Sequence, residues 1–287
     1  MMAKSALMRW VINPVLNKEI KLRMRSFKSF IGIFFYLAAL GLIALGFIYI
    51  STQNQTGFIR PEESRMMFHV LSYAQLGLIL FMTPGLTAGV ISGERERQTL
   101  NILLTTEQSS SSIIISKLFS SLSFLTLMIF ASLPLYSIVF LFGGVSPLLI
   151  LKTFLLYLMT IITVGSIGVF YSTIIRKTII SMIASYGTAM FLVFGTLFIT
   201  MLSMMSVNTG LNQQQTTIIP YLMLMLNPGA VLFQSVEPYA MNEIQKAAGW
   251  TFPLTYSFFI SYTVIAVVML LLSIRKLRPN MKKGRKA

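Results

Sequence analysis

The densest group of ionisable side chains in this sequence lies in one short stretch, residues 94–107. It holds three of the eight Glu residues, two Arg residues between them, and leucines at helical spacing. The side chains of interest are Glu94, Arg95, Glu96, Arg97, Thr99, Leu100, Leu103 and Leu104. The three leucines fit the i, i+3, i+4 rule of a short amphipathic helix, on which Glu94 and Arg97 can pair. Such a helix could be a docking surface, with the leucines filling a groove on a partner and the charges fixing the register of the contact. The alternative is a solvated loop with incidental charges.

The sequence lacks the side chains that most catalysis requires. It has no Asp and no Cys, and His69 is its single His. It also has no phosphate-binding loop of the form G-x-x-x-x-G-K-[ST], so we expect no ATP hydrolysis by this chain. All eight Glu residues lie outside the long apolar segments described below, whereas self-powered ion-coupled carriers usually keep ionisable relays inside them. We therefore expect a protein that is not an enzyme and that binds no cofactor or metal itself.

The elements that must position the 94–107 stretch are membrane spans. Hydrophobic residues make up 55% of the 287-residue chain, charged residues 11%, and the mean hydropathy is +0.76. Six segments have the roughly 20 apolar residues that a spanning helix needs: residues 30–50, 68–91, 113–142, 148–175, 179–205 and 252–274. Pro134 predicts a kink or break in the third. The sequence thus predicts an all-α integral membrane protein with six transmembrane helices.

The basic residues predict the orientation of these spans. The net charge is +15, and 19 of the 23 Lys and Arg residues fall on one side of the predicted topology. By the positive-inside rule, both termini lie in the cytoplasm of a multi-pass protein of the cell membrane. Because the chain is mostly apolar, we expect its basic residues to face a lipid bilayer and not nucleic acid. We divide the chain into a cytoplasmic interface helix (1–29), a transmembrane domain (30–274) and a basic cytoplasmic tail (275–287).

The N-terminal residues predict a basic amphipathic helix. Asn13 can cap it and Pro14 suits its first turn, while leucine, isoleucine and methionine residues follow on one face. The polar residues assigned to this interface helix are Asn13, Pro14, Lys18, Glu19, Lys21 and Arg25. Such a helix lies flat in the headgroup layer, either as a topological anchor or as a lever that rests on a cytoplasmic partner.

The stretch between the last two spans, residues 206–251, is apolar in its middle but interrupted. Pro220 and the Asn227-Pro228-Gly229 turn divide it into pieces too short to cross a bilayer. A pair of short re-entrant or interfacial helices is predicted there, with a loosely packed outer loop as the alternative.

Two of these stretches resemble the ABC-2-type permeases of ABC transporters. Residues 92–106 are similar to that family's cytoplasmic E-R-E-x-x-T-L-x-x-L-L segment, which precedes a Lys matched here by Lys117, although Gln98 stands where the family usually has Gly. Residues 13–19 resemble the family's N-P-V-x-x-K-E leader. The resemblance implies that both stretches contact a separate ATPase subunit, which binds ATP and Mg²⁺. It also implies that a second permease, identical or homologous, completes the transport path.

Neutral polar residues in the second and fifth spans are candidates for lining that path, although such residues more often hold helices together. The candidates are Gln75, Thr83, Ser185 and Thr188. A path without fixed charge suits amphipathic, lipid-like or apolar peptide cargo. We therefore expect the permease subunit of an ATP-driven exporter. A non-transporting anchor or regulator of such an assembly and, with less support, a lipid-modifying enzyme are the alternatives.

Overall fold

The computed structural model describes residues 26–54, 61–100, 109–209, 218–237 and 252–277, and within them every regular element is helical. The helices are α1 (Phe27–Asn54), α2 (Pro61–Thr87), α3 (Ser92–Glu96), α4 (Ser110–Ala131), α5 (Leu133–Leu141), α6 (Pro147–Ile174), α7 (Thr178–Met190), a π-helical turn (Phe191–Gly195), α8 (Thr196–Thr209), α9 (Ile219–Leu224), α10 (Pro228–Val236) and α11 (Leu254–Leu277). Six helical runs in this part of the chain are long and apolar enough to cross a membrane. The predicted all-α fold with six spans is confirmed.

The second span begins earlier than its hydropathy predicts. α2 starts at Pro61, not near residue 68, with Glu62 and Glu63 in its first turn. Proline at the first helical position and acidic residues beside the positive end of the helix dipole favour a helix start there. The apolar run therefore marks where the span enters the bilayer, and not where the helix begins.

The third span is broken where Pro134 predicts. α4 ends at Ala131 and α5 starts at Leu133, with Ser132 between them. The Ser132 hydroxyl lies 2.7 Å from the Ile129 carbonyl oxygen and 3.3 Å from Oε1 of Gln75 in α2. The hydrogen bond from Ser132 to Gln75 therefore links the break in the third span to the second span.

α6 lies at the centre of the bundle and packs against α2, α4, α7, α10 and α11. Small residues allow the closest of these approaches. A Cβ atom on Gly168 would lie 2.1 Å from Thr87 Oγ1, and one on Gly165 would lie 2.9 Å from Leu122 Cδ2. The glycines of α6 let α2 and α4 pack against its backbone, while the apolar outer faces of the spans remain exposed.

Two short helices, α9 and α10, precede the last span as predicted, which excludes the loose-loop alternative for residues 218–237. They are anchored to α11 by tyrosine hydroxyls: Tyr262 donates to the Leu226 carbonyl at 2.9 Å, and Tyr221 to the Phe252 carbonyl at 2.9 Å. The predicted interface-helix residues Asn13 to Arg25, together with Leu103, Leu104 and the tail from residue 278, lie outside the described residues.

Candidate functional site

The charged stretch folds into a compact turn at one end of the bundle, which we call the Glu94 loop (residues 88–100). After α2 the chain turns through residues 88–91, forms the single helical turn α3, and reaches the buried Leu100. Successive backbone bonds hold it together, including Gly93 N–H to the Gly89 carbonyl at 2.9 Å and Arg95 N–H to the Ile91 carbonyl at 3.0 Å. The loop is therefore a rigid extension of the second span.

Hydroxyl groups of the fourth and fifth spans bind the first part of this loop. Ser172 Oγ in α6 accepts hydrogen bonds from the backbone N–H groups of Ile91 and Ser92, at 2.8 and 2.9 Å. Ser181 Oγ in α7 donates to the Ala88 carbonyl at 2.8 Å. Both serines are buried. Ser172 satisfies N–H groups that the start of α3 leaves unpaired, and Ser181 binds a carbonyl just after the end of α2.

Arg95 and Glu96 bind opposite helix ends. Arg95 Nη2 donates to the Thr173 carbonyl at 3.0 Å, at the last turn of α6. The Glu96 carboxylate accepts from Thr178 N–H and Thr178 Oγ1, both at 2.7 Å, at the first turn of α7. A cation at a helix C-terminus and an anion at an N-terminus each complement the helix dipole. The loop thus caps both helices of the α6–α7 connection.

Glu94 makes the ion pair of this site. Its Oε1 lies 2.9 Å from Lys117 Nζ in α4, and the two side chains are only 28% and 14% exposed. Thr99 Oγ1 donates to the other carboxylate oxygen, Oε2. The sequence predicted a pair between Glu94 and Arg97, but in the structure the ion-pair partner is Lys117, and Arg97 is exposed. The reason is that the carboxylate faces α4, where a partly buried cation is available.

Gln98 turns the chain back between α3 and Leu100. Its φ is +60°, and among the described residues other than glycine it alone has a positive φ. This chain therefore forms the tight turn with Gln98 in the left-handed region, at the position where ABC-2-type permeases usually have Gly. The left-handed conformation of a residue with a Cβ atom costs about 1–2 kcal/mol.

Replacing Gln98 by Gly should relieve this strain. Because Gly also loses more conformational entropy on folding, we expect a net gain of about 0.5–1 kcal/mol. The midpoint of thermal unfolding in detergent should rise for Gln98→Gly and should not rise for Gln98→Ala, which keeps the Cβ. Equal midpoints for both variants would mean that the left-handed turn carries no strain.

The described residues contain no group of three or more potential metal-ligating His, Cys, Asp or Glu side chains. One loop of the second span contacts the third, fourth and fifth spans through polar groups. A family model described as ABC-2 family transporter protein matches residues 13–278. The chain belongs to the ABC-2 transporter family. No curated protein matches it.

Sequence reasoning located the loop of this ABC-2 protein but not its partners. The structure brings Glu94, Arg95, Glu96, Thr99 and Leu100 together as one unit. It leaves Arg97 exposed, and the partners missed by the sequence are Ser172, Thr173, Thr178 and Ser181. These hydroxyl residues flank the short connection between the fourth and fifth spans. Their clustering in the sequence is the feature from which they could have been predicted.

The ABC-2 chain also contains a large apolar cavity of about 1050 Å³. It lies between α2, the fifth span and the short helices α9 and α10. Its walls include aromatic and sulfur-containing side chains such as Tyr73, Phe81, Tyr186, Phe194, Met201 and Met204. The spans around it are the two in which path residues were predicted.

The four predicted path residues are not among those that line this cavity. Thr83 Oγ1 donates to the Ile79 carbonyl at 2.7 Å, Ser185 Oγ to Ser181 at 2.8 Å, and Thr188 Oγ1 to Ser185 at 2.9 Å. Each hydroxyl is therefore satisfied by its own helix. Gln75 is fully buried beside Ser132 at the break of the third span.

One polar residue of the cavity wall, Asn227, joins two elements. Its Nδ2 donates to the Val193 carbonyl at 2.7 Å and to Thr196 Oγ1 at 2.8 Å, within and just after the π-helical turn. Its Oδ1 accepts from Ala230 N–H at 3.0 Å and so caps α10. Asn227 thus links the start of α10 to the π-helical turn of the fifth span.

Proposed function

We propose that this ABC-2 protein is the permease subunit of an ATP-driven exporter, and that a separate ATPase subunit drives it through the Glu94 loop. ATP and Mg²⁺ would bind to that ATPase subunit. The observation that carries this proposal is the set of contacts from one loop to three spans. A force applied to the Glu94 loop would reach α4 through Lys117, α6 through Ser172 and Thr173, and α7 through Thr178.

The distribution of charge supports a cytoplasmic location for this loop. Among the described residues, the loop end of the bundle carries Arg95, Arg97, Lys117, Arg176, Lys177, Arg275 and Lys276, whereas the opposite end carries Arg65 and Lys152. By the positive-inside rule, this charge supports a cytoplasmic side for the Glu94 loop and both termini, where a soluble ATPase could reach them.

The cavity supports the choice of cargo. A volume of about 1050 Å³ with apolar walls suits an amphipathic, lipid-like or apolar peptide molecule better than a small ion, which needs polar ligands in place of its hydration shell. Phe194 and Met201 of its wall are 62% and 65% exposed. A second permease copy, identical or homologous, would cover this face and complete the path.

The test begins with the full-length protein purified in mild detergent. We expect a stoichiometric soluble subunit with ATP-binding motifs to co-purify. After reconstitution into vesicles, the complex should move a fluorescent short-chain lipid analogue in an ATP-dependent manner, and should not move rubidium ions. Rubidium transport would overturn the cargo assignment, and an ATPase that binds without any cargo moving would favour the non-transporting anchor.

A further inference from the structure

A second cavity, of about 390 Å³, lies at the end of the bundle opposite the Glu94 loop. It is formed where α2 and α6 begin and where α10 passes them. Its lining includes Arg65, Gly144, Ser146, Leu148, Lys152 and Ser235. Two of its lining residues are cations and none is acidic.

The turn before α6 builds this cavity by a close approach to α2. Gly143 and Gly144 both have φ of +82°, and a Cβ atom on Gly144 would lie 2.2 Å from the Pro61 carbonyl oxygen. Only glycine fits this contact, which brings the first turn of α6 beside the first turns of α2. Arg65 and Lys152, 87 positions apart in sequence, thereby face one space.

Neither cation in this space forms an ion pair with a described residue. In the part of the chain that the structure describes, neither Arg65 nor Lys152 has an acidic partner within 4.0 Å. The nearby Glu62 and Glu63 do not line the cavity. The positive end of the α6 dipole adds to the positive potential, and no acidic residue in the first turn of α6 offsets it. Two cations and a helix start together favour an anion.

An apolar strip on α6 lies beside the cavity. Leu148, Leu151 and Leu155 are 58%, 65% and 50% exposed and form an apolar strip down α6 from the cavity. Lys152 lies one turn below Leu148 on the same face, and lysine near the end of a span extends its ammonium group toward the headgroup layer. An anion held here would have an apolar surface for acyl chains directly beneath it.

We propose that this cavity is a binding site for the phosphate of an anionic phospholipid, which links α2 to α6 at the end of the bundle away from the Glu94 loop. Arg65 and Lys152 bind the phosphate oxygens, Ser235 on α10 offers a hydroxyl, and the strip below Leu148 receives an acyl chain. The site does not depend on the cargo or on the ATPase subunit. Its failure and the failure of the proposed transport function are therefore distinguishable.

The experiment measures lipid retention by the purified full-length protein. Dioleoylphosphatidylglycerol is titrated into the detergent-solubilised wild type and into an Arg65→Gln/Lys152→Gln variant, and bound lipid is counted by native mass spectrometry. An Arg275→Gln/Lys276→Gln variant is the matched control, since it loses the same two charge types at exposed positions at the other end of the bundle. Size-exclusion profiles confirm that the variants are folded.

Removal of the two cavity cations should weaken phosphatidylglycerol binding by about tenfold or more. The control should bind as the wild type does, and dioleoylphosphatidylcholine should bind more weakly than phosphatidylglycerol to the wild type. Lipid should also raise the thermal unfolding midpoint of the wild type and the control, but not of the cavity variant. Equal lipid retention in all three proteins, or an equal loss in the control, would overturn the site.

Competition distinguishes the two sources of phosphate. If millimolar glycerol 3-phosphate or inorganic phosphate leaves phosphatidylglycerol bound, the lipid headgroup with its acyl chain is the ligand, as we expect. If either soluble anion displaces the lipid from the wild type and raises its unfolding midpoint alone, the site binds free phosphate, and the assignment to a lipid is wrong.

Discussion

Glu94→Lys should reduce ATP-driven transport by about tenfold or more while the protein remains in the membrane. The substitution removes the carboxylate that pairs with Lys117 and places a second ammonium group beside it. Both side chains are partly buried, so water can solvate the unpaired charge only in part. Breaking this pair should therefore cost less than the roughly 3–5 kcal/mol of a fully buried pair. We expect the Glu94 loop to separate from α4, so that motion of the loop no longer reaches the third span.

A charge swap provides the decisive control. Lys117→Glu alone should impair transport as Glu94→Lys does, and the double variant Glu94→Lys/Lys117→Glu should recover a large part of it. Glu62→Lys, a charge reversal at the first turn of α2 at the opposite end, should transport normally. Transport and ATPase rates are measured in proteoliposomes, with membrane content as the check on folding. Full transport by both single variants, or a double variant no better than either one, would remove the ion pair from the mechanism.

The same comparison separates two roles of the loop. If Glu94 acts through Lys117, the single variants should still bind the ATPase subunit, because the carboxylate faces α4. Loss of ATPase binding in Glu94→Lys that Lys117→Glu does not restore would instead make Glu94 a direct contact. Glu96 and Arg97 are both exposed, so both are placed to meet a partner. The Glu96 carboxylate also binds Thr178 at the start of α7.

The spans and the break at Pro134 could be predicted because their causes are local. A run of about 20 apolar residues has few alternatives to a membrane helix, and a proline cannot donate the hydrogen bond that a continuous helix requires. The Glu94 loop was recognisable for the same reason, since its charges and leucines are adjacent in sequence. The residues that bind the loop could not be predicted, because Ser172 and Thr178 lie about 80 residues away and carry ordinary hydroxyl groups.

The four predicted path residues do not line the apolar cavity, and for the hydroxyl residues the reason is physical. In an apolar environment a Ser or Thr hydroxyl is satisfied most simply by the carbonyl four residues earlier in its own helix, as for Thr83 and Ser185. Polarity in a span therefore does not indicate exposure to a cavity. The cavity is lined instead by large apolar side chains, whose sequence pattern is the same as that of lipid-facing ones.

Asn227→Ala should lower the stability of the folded protein by about 2–3 kcal/mol. The side chain is fully buried and makes three hydrogen bonds, so its loss uncaps α10 and leaves the Val193 carbonyl of the π-helical turn without its amide donor. For a protein of this size the thermal midpoint should fall by about 5–10 °C. Because both elements form the cavity wall, cargo transport should fall with it.

Ser146→Ala is the matched control for this prediction. Like Asn227, Ser146 precedes a proline at the first position of a helix and caps it, but Ser146 is exposed and makes that single cap bond to Leu149 N–H. Its loss should cost about 1 kcal/mol or less. Asn227→Ser keeps a cap acceptor but loses the amide donor, so it should lie between Asn227→Ala and the wild type. If Asn227→Ala costs no more than Ser146→Ala, capping accounts for the whole effect and the bond to the π-helical turn contributes nothing.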